Sequence, residues 1–237
     1  MLETNNETDI PYQIESVSGR IRWSKDGRSI LVYGGDSTRA AGLFKIDVQT
    51  GQSTILLPDQ GNVGSTNYDW SFDGTGLFYL LNGGHEILRR DLSSRTDTLI
   101  YSGMSSFVLS EDGLWLATIS VDIKTGLTGV AIVPARGGNA RKILTLRMPE
   151  FISEMTWTPD GREIVFAKGR RDLIDQPHEL WSVPASGGTP RPLGIQTEYV
   201  QSLSFHPDGR QMAISTYTDT SEVWVVENFL QQGISKN

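Results

Sequence analysis

Five segments of the chain repeat one pattern of apolar and polar positions: a large apolar residue, a polar turn containing Asp-Gly, and a run of consecutive apolar residues. The segments read W-S-K-D-G from Trp23, W-S-F-D-G from Trp70, L-S-E-D-G from Leu109, W-T-P-D-G from Trp157 and F-H-P-D-G from Phe205. Successive Asp-Gly pairs lie 47, 39, 48 and 48 residues apart. A period in the forties with strand-like contents predicts the blades of a β-propeller, as in WD-like repeats.

Each segment predicts a strand, a tight turn and a second strand. The turn glycine, for example Gly161, supplies the positive φ angle that closes the turn, and the aspartate hydrogen-bonds local backbone. The runs after the turns, such as I-V-F-A from Ile164, are apolar at successive positions. That pattern is typical of a strand covered on both faces. The large residue before each turn, a tryptophan in three repeats, is therefore expected to pack between blades.

A third and a fourth strand follow in the first four repeats, on either side of a second turn. These second turns are predicted at Gly51, Arg95, Gly138 and Gly188. The pattern predicts an all-β protein, a β-propeller of five four-stranded antiparallel blades in a single domain over residues 10–230. The repeats are placed around residues 20–58, 67–102, 106–146, 154–194 and 202–230.

The fifth repeat ends before a fourth strand can form. We expect the run I-P-Y-Q-I, at Ile10–Ile14, to pair with the last blade, because closing the ring removes a free sheet edge. Residues 1–9 are then a disordered leader, and residues 231–237 are a tail. The alternative is a fragment of a propeller with six or more blades.

Composition excludes several classes of partner. The 237 residues carry a net charge of −7, and Lys and Arg are scattered instead of forming the basic stripe that nucleic acids require. The absence of cysteine excludes disulfides and thiolate metal sites. Neither a signal sequence nor a membrane-spanning run is predicted. We expect a monomer that does not insert into membranes, cytoplasmic as given, or periplasmic if an upstream leader or parent domain has been removed.

Binding residues are expected on the loops between second and third strands. These loops vary in length, whereas the turns at the other end of the strands are short and uniform, and rigid scaffolds commonly place binding on variable loops. The candidates on this variable-loop face are Asp36, Arg39, His85, Glu86, Asp122, Lys124, Arg170, Arg171, Asp172 and Asp219. For any one of them, the alternative is an ordinary solvated loop residue.

No catalytic residue is predicted from the sequence. The three histidines lie in separate repeats without metal-ligand spacing, and a G-x-S-x-G motif is absent. Without clustered arginines, glycosidase chemistry receives little support. An alternative hypothesis brings Asp36, Asp122 and Asp219 together at the channel mouth to hold Ca²⁺, which prefers several oxygen ligands. Otherwise no metal or cofactor is expected.

The phrase W-S-x-D-G-R before an apolar strand, with the later V-P-A-S-G-G-T-P-R-P-L, resembles the TolB-type β-propeller repeat. The resemblance covers residues 20–230 five times over. It implies a propeller that binds proteins, and it supplies no catalytic residues. TolB itself has six blades and an N-terminal α/β domain, whereas this sequence shows five repeats. The phrase E-V-W-V-V-E-N-F-L is similar to the end of propeller domains attached to larger bacterial proteins.

The sequence therefore predicts a non-catalytic binding module that contacts a protein or peptide through its variable-loop face, as a sensor or scaffold in a larger bacterial system. Two alternatives stay open. One is a hydrolase or lactonase-like enzyme with a metal ion in the central channel. The other is a gating domain for a separate peptidase.

Overall fold

The computed structural model describes residues 14–38, 40–103, 106–122, 124–172, 177–206, 208–217 and 222–227, with the backbone alone for residues 66, 217 and 222–227. The described residues form 19 strands in five antiparallel sheets. The chain divides into two compact units, residues 1–99 and 100–237.

The first unit holds two sheets in which strands that are consecutive along the chain are neighbours. The first sheet contains β1 (Ile14–Trp23), β2 (Ser29–Asp36), β3 (Ala41–Asp47) and β4 (Ser53–Pro58). The second contains β5 (Val63–Trp70), β6 (Gly76–Leu81), β7 (Glu86–Asp91) and β8 (Asp97–Ser102), whose last residues pass into the second unit. A 3-10 turn at Asn82–Gly84 joins β6 to β7.

The second unit holds three sheets with the same consecutive order. The first of them contains β9 (Phe107–Leu109), β10 (Trp115–Asp122), β11 (Leu127–Pro134) and β12 (Arg141–Arg147). The next contains β13 (Glu150–Trp157), β14 (Glu163–Arg170), β15 (His178–Pro184) and β16 (Arg191–Thr197). The last contains β17 (Tyr199–Phe205), β18 (Gln211–Tyr217) and β19 (Glu222–Glu227).

The four-stranded repeat predicted from the sequence is confirmed in four of these sheets. The fifth described sheet has three strands. Ile14 belongs to β1 and pairs with Asp36 in the first sheet, whereas residues 10–13 lie outside the described residues. Closure of a five-bladed ring by the Ile10–Ile14 run therefore stays a prediction. None of the described residues belongs to a helix long and apolar enough to cross a membrane.

Strands that are apolar at successive positions are covered on both faces, as their sequences predict. β6 is buried from Gly76 to Leu80, and β11 is buried from Thr128 to Val133. In the first unit, Leu31 and Leu43 of the first sheet join Tyr68 of the second in one core cluster. Comparable clusters link neighbouring sheets of the second unit. Face-to-face packing of sheets within each unit is thus the source of its hydrophobic core.

The tryptophan before the Asp-Gly turn ties a sheet to the preceding one. Trp70 Nε1 donates to the carbonyl oxygen of Arg22 at 3.1 Å, and Trp157 Nε1 donates to that of Val108 at 3.1 Å. Both side chains are buried. Trp23 stands at the same position of the first described repeat, but its side chain is 61% exposed. The expectation that this residue packs between blades is therefore corrected.

The Asp-Gly turns contain a side-chain network that the sequence pattern alone did not reveal. The hydroxyl two residues before the aspartate donates to the carboxylate at 2.6–2.7 Å and accepts the N–H three residues after it at 2.8–3.0 Å. The hydroxyls belong to Ser24, Ser71, Ser110 and Thr158. In the fifth repeat, His206 replaces them, with Nδ1 2.9 Å from Asp208 Oδ1. The turn glycines all have φ angles of 67–71°, as predicted.

The second turns are also where the sequence predicts them. Gly51, Arg95, Gly138 and Gly188 have positive φ angles of 71°, 58°, 128° and 145°. Arginine is strained in the left-handed region, so Arg95 is the residue that departs from the preference for glycine there. Both kinds of turn lie at one end of the strands, which leaves the variable loops at the other end.

Candidate functional site

Within the first repeat, the predicted site residue Asp36 closes its own loop. Its Oδ1 atom accepts hydrogen bonds from Thr38 Oγ1 at 2.7 Å and from the N–H groups of Thr38 and Ala40 at 2.9 and 3.0 Å. The Thr38 hydroxyl is the largest cause of a pKa below the usual range for this carboxyl. Arg39 lies outside the described residues. Asp36 is therefore a loop-capping residue in this structure.

The loop of the second repeat is similarly self-contained. Asn82 donates from Nδ2 to Glu86 Oε2 at 2.7 Å, and its N–H donates to the Asn62 carbonyl at 3.0 Å. His85 ends the 3-10 turn and is exposed. Glu86 thus orders the loop, and His85 presents an imidazole to solvent beside it.

In the third repeat, Asp122 is held by donors of its own loop, as Asp36 is in the first. Asp122 Oδ1 accepts the N–H groups of Lys124 and Thr125 at 3.0 and 3.3 Å. Hydrogen bonding from the Thr125 side chain lowers the pKa of this carboxyl. Asp219 of the fifth repeat lies outside the described residues. Across the part of the chain that the structure describes, no three His, Asp or Glu side chains group closely enough to hold a metal ion.

The fourth repeat brings three predicted residues together at the end of β14 and on the loop that follows it. Arg170 pairs with Asp172 through two contacts, Nε to Oδ1 at 3.1 Å and Nη2 to Oδ2 at 2.9 Å. The pair raises the pKa of Arg170 and lowers that of Asp172. The Arg171 guanidinium lies 5.1 Å from the centre of the Phe151 ring, a distance at which a cation is attracted to the ring face.

The Phe151 ring also contacts His178, the first residue of β15, whose role was not predicted. His178 is 4% exposed. Its Nδ1 atom lies 3.0 Å from Ser153 Oγ and 3.3 Å from the backbone nitrogen of Val200. Because the Val200 N–H can only donate, Nδ1 is an acceptor and the imidazole is neutral, with its proton on Nε2. Burial also lowers the pKa of His178, which favours the neutral imidazole.

Two aromatic rings enclose this imidazole. The Phe151 ring meets it edge-on at 5.4 Å between centroids, and the Tyr199 ring lies at 4.8 Å. A Cβ atom on Gly169 would lie 2.6 Å from His178 Nε2, so glycine at this position makes room for the imidazole. Tyr199 is 49% exposed, which leaves one side of the aromatic group open to a ligand.

A second cation of the same sheet is fixed by a carboxylate and a tryptophan. Lys168 Nζ lies 3.2 Å from Glu150 Oε1 and 3.9 Å from the centre of the Trp181 ring. Trp181 Nε1 in turn donates to Glu179 Oε2 at 3.0 Å. These contacts place an ordered set of charges and aromatic rings at one end of β13, β14 and β15. We call Phe151, Arg170, Arg171, Asp172, His178 and Tyr199 the fourth-repeat surface.

The chemistry of this surface favours binding over nucleophilic catalysis. The Nδ1 lone pair of His178 faces both the Ser153 hydroxyl and the Val200 N–H, so it is shared with a backbone donor instead of serving as a free base for the hydroxyl. Sequence reasoning identified the charged loop but missed Phe151 and Tyr199. Phe151 is the second residue of β13 and Tyr199 is the first residue of β17, so both lie in strands and not in the variable loops.

The buried neutral imidazole predicts a pH dependence of stability. Because the pKa of His178 is lower in the folded state, the unfolded chain takes up the proton first as the pH falls. The stabilisation is therefore complete above pH about 6.5 and is lost below it, by at most about 1.4 kcal/mol per pH unit. Urea unfolding at pH 7.5 and 5.5 should show this loss in the native protein and less of it in His178→Gln. The exposed-residue control His85→Gln should keep the native pH dependence; equal behaviour of both variants would contradict the assignment.

Comparison with solved structures shows the fold of TolB-type β-propellers. TolB from Acinetobacter baumannii matches with a TM-score of 0.72 and 18% identity over 90% of this chain. The chain spans 52% of that TolB chain. No protein-family model matches the sequence, and no curated protein sequence matches it.

Enzymes with related propellers match as well. An oligogalacturonate lyase in complex with manganese has a TM-score of 0.56 and 16% identity, over 91% of this chain and 80% of the lyase. One of two prolyl endopeptidases compared for inter-domain dynamics has a TM-score of 0.62 and 16% identity, over 90% of this chain and 34% of the peptidase. At these identities, the similarity shows the fold alone.

Proposed function

We propose that this TolB-like β-propeller is a non-catalytic binding module that holds a protein or peptide on its fourth-repeat surface. The observation that carries the proposal is the exposed Tyr199 ring beside a buried His178. The Arg171 guanidinium lies over the adjoining Phe151 ring, and the ordered Arg170–Asp172 pair lies next to it in the chain. Tyrosine and arginine are enriched among the residues that dominate binding energy at protein interfaces. We further propose that the module is the sensor or scaffold part of a larger bacterial system.

The local order of this surface supports the proposal. The two-point contact between Arg170 and Asp172 fixes one guanidinium, and the Phe151 ring orients the Arg171 side chain. Binding side chains that are already ordered lose less conformational entropy when a partner docks. The surface therefore offers donors and apolar area in one arrangement before the partner arrives.

The two enzyme-related alternatives carry less structural support. A metal site formed by Asp36, Asp122 and Asp219 would need carboxylates that are available to an ion, whereas Asp36 and Asp122 are engaged by donors of their own loops. The gating alternative would use the same fourth-repeat surface to contact a peptidase, so it is a special case of protein binding. Elemental analysis of the purified protein distinguishes the metal alternative, which requires a stoichiometric divalent ion.

Substitution of the arginines tests the proposal. Peptides selected from a displayed random library against the immobilised protein should bind the native protein and lose roughly tenfold in affinity on Arg170→Ala or Arg171→Ala, about 1.4 kcal/mol. The melting temperature should stay nearly unchanged. Fluorescence polarisation with the selected peptides measures the affinities.

Arg191→Ala is the matched control. Its side chain is 48% exposed and pairs with Glu163 at 2.9 Å, as Arg170 is 48% exposed and pairs with Asp172 at 2.9 Å. Arg191 begins β16, at the end of the sheet that carries the uniform turns. The control should bind as the native protein does. Equal loss in the control, or no enrichment of peptides at all, would contradict the proposal.

A further inference from the structure

A cleft of about 360 Å³ lies at the opposite end of the strands in the first unit, where the Asp-Gly turns of the first two repeats approach each other. It is lined by residues of both turns, by Lys45 of β3 and by Leu92 after β7. Its volume is at the lower end of the range for small-molecule sites, about 300–1,000 Å³. None of the binding residues predicted from the sequence lies here.

An aromatic wall and a cation form one side of this cleft. Phe72 is 44% exposed, and Lys25 Nζ lies 3.3 Å from the centre of its ring. The contact uses one face of the ammonium group, which carries three N–H donors. Lys25 is therefore held in place with donors available to a second group, and the Phe72 ring offers apolar area beside them.

The second cation of the cleft is Lys45, and its surroundings differ from those of the equivalent residue in the next repeat, Arg89. Strand pairing puts Lys45 opposite Leu31 and Arg89 opposite Phe78, at equivalent positions of β3 and β7. Arg89 donates to Thr75 Oγ1 at 2.9 Å and lies 3.8 Å from Asp73 Oδ2. The residue equivalent to Thr75 in the first turn is Arg28, whose side chain cannot accept a hydrogen bond.

Lys45 thus lacks the acceptor that holds its counterpart. Its side chain is exposed. Within the described part of the chain it makes no close ion pair, and its charged neighbour is Asp47, whose carboxyl is held mainly by the Thr50 N–H and hydroxyl. An exposed ammonium group without a close acceptor, at the edge of the cleft, can donate a charge-assisted hydrogen bond to an anionic group.

The two aspartates of the cleft stay ionised, but each directs one carboxylate oxygen into its own turn, so an anionic ligand would lie on the side of the two lysines. Asp26 Oδ1 accepts the Ser24 hydroxyl and the Arg28 N–H at 2.7 and 3.1 Å. Asp73 Oδ1 accepts the Ser71 hydroxyl at 2.6 Å and the Thr75 hydroxyl at 2.8 Å. Hydrogen bonding of this kind, with the Ser71 hydroxyl first, lowers the pKa of Asp73 to about 2.

We propose that this cleft binds a carboxylate attached to an apolar group, with the carboxylate between Lys25 and Lys45 and the apolar group against Phe72. Two sources carry this chemistry: a free aromatic or apolar acid, and an acidic side chain next to an aromatic residue of a peptide. The cleft is formed by residues of the first unit and the fourth-repeat surface by residues of the second, so the two proposals share no residue.

Two anionic probes distinguish these sources. Ligand-observed NMR titrations of the full chain use phenylacetate for the free acid and the capped peptide acetyl-Gly-Asp-Phe-Gly-amide for the peptide. At least one should bind, and Lys45→Met should raise its dissociation constant roughly tenfold, as expected for loss of a charge-assisted hydrogen bond. Phenylacetamide, which has the same shape without the charge, should bind at least tenfold more weakly than phenylacetate if the free acid is the ligand.

Lys142→Met is the control variant, because Lys142 is also an exposed strand lysine, on β12. It should leave both dissociation constants unchanged. Phe72→Ser should weaken binding of the probe in the otherwise native protein. Added to Lys45→Met, it should not restore binding. Failure of both probes to bind, or equal dissociation constants in native protein and Lys45→Met, overturns the proposal. Either result leaves the fourth-repeat surface untouched, because these variants do not alter it.

Discussion

Replacement of Trp157 by alanine should lower the free energy of unfolding by about 4 kcal/mol, as large truncations in packed cores do. Trp157 is 7% exposed and belongs to the cluster that joins the first two sheets of the second unit. The substitution removes this buried area and also the hydrogen bond from Nε1 to the Val108 carbonyl, which leaves that carbonyl short of a donor. Urea unfolding followed by circular dichroism measures the change.

Trp23→Ala is the control at the same position of the repeat. Because the Trp23 side chain is 61% exposed, its truncation should cost less than about 1 kcal/mol. The difference between the two variants separates the effect of burial from the effect of residue type. A cost for Trp23→Ala close to that for Trp157→Ala would show that Trp23 is buried in solution.

Gly129→Ala should also destabilise the protein strongly, by about 3 kcal/mol, as overpacking of a rigid position does. Gly129 lies in β11 opposite Thr145 of β12. A Cβ atom at this position would stand 2.1 Å from the Leu144 carbonyl oxygen. The obstacle is backbone of the neighbouring strand, so relief requires the two strands to shift. Thermal unfolding should show a lower melting temperature without a change in the secondary structure content at low temperature.

Gly161→Ala provides a contrast, because its glycine is needed for a different reason. The φ angle of Gly161 is 67°, and a Cβ atom there would meet nothing within 4 Å. The cost should therefore come from backbone strain alone, about 1–2 kcal/mol. If Gly129→Ala proved milder than Gly161→Ala, the close approach of β11 and β12 would be wrong.

Much of the fold could be predicted because the repeat is local. The residues that define a turn and its two strands lie within about a dozen positions, so W-T-P-D-G and the equivalent segments are enough to predict each hairpin. Trp23 shows where this reasoning ends. Its sequence context is similar to that of Trp157, but its burial depends on which strand lies against it, and a local pattern does not contain that information.

The candidate site was less accessible to sequence reasoning. The carboxylates of Asp36 and Asp122 were expected to be free for a ligand, and the structure shows that donors two to four residues further along the chain engage them. His178 was considered as a metal ligand and excluded, whereas its role depends on Ser153 and Val200, which are 25 and 22 residues away in the chain. Such contacts arise from strand register and cannot be read from spacing.

The hydroxyl-carboxylate network of the first four Asp-Gly turns has a consequence for how this scaffold can change. Side chains of the turn stabilise each of these hairpins at one end. The loop at the opposite end of the same strands is therefore not needed to set the strand register. A connection of four residues after β2 and one of seven after β14 are accommodated by the same kind of hairpin. New recognition loops could therefore be exchanged between repeats, by evolution or by grafting, with each blade keeping its alignment.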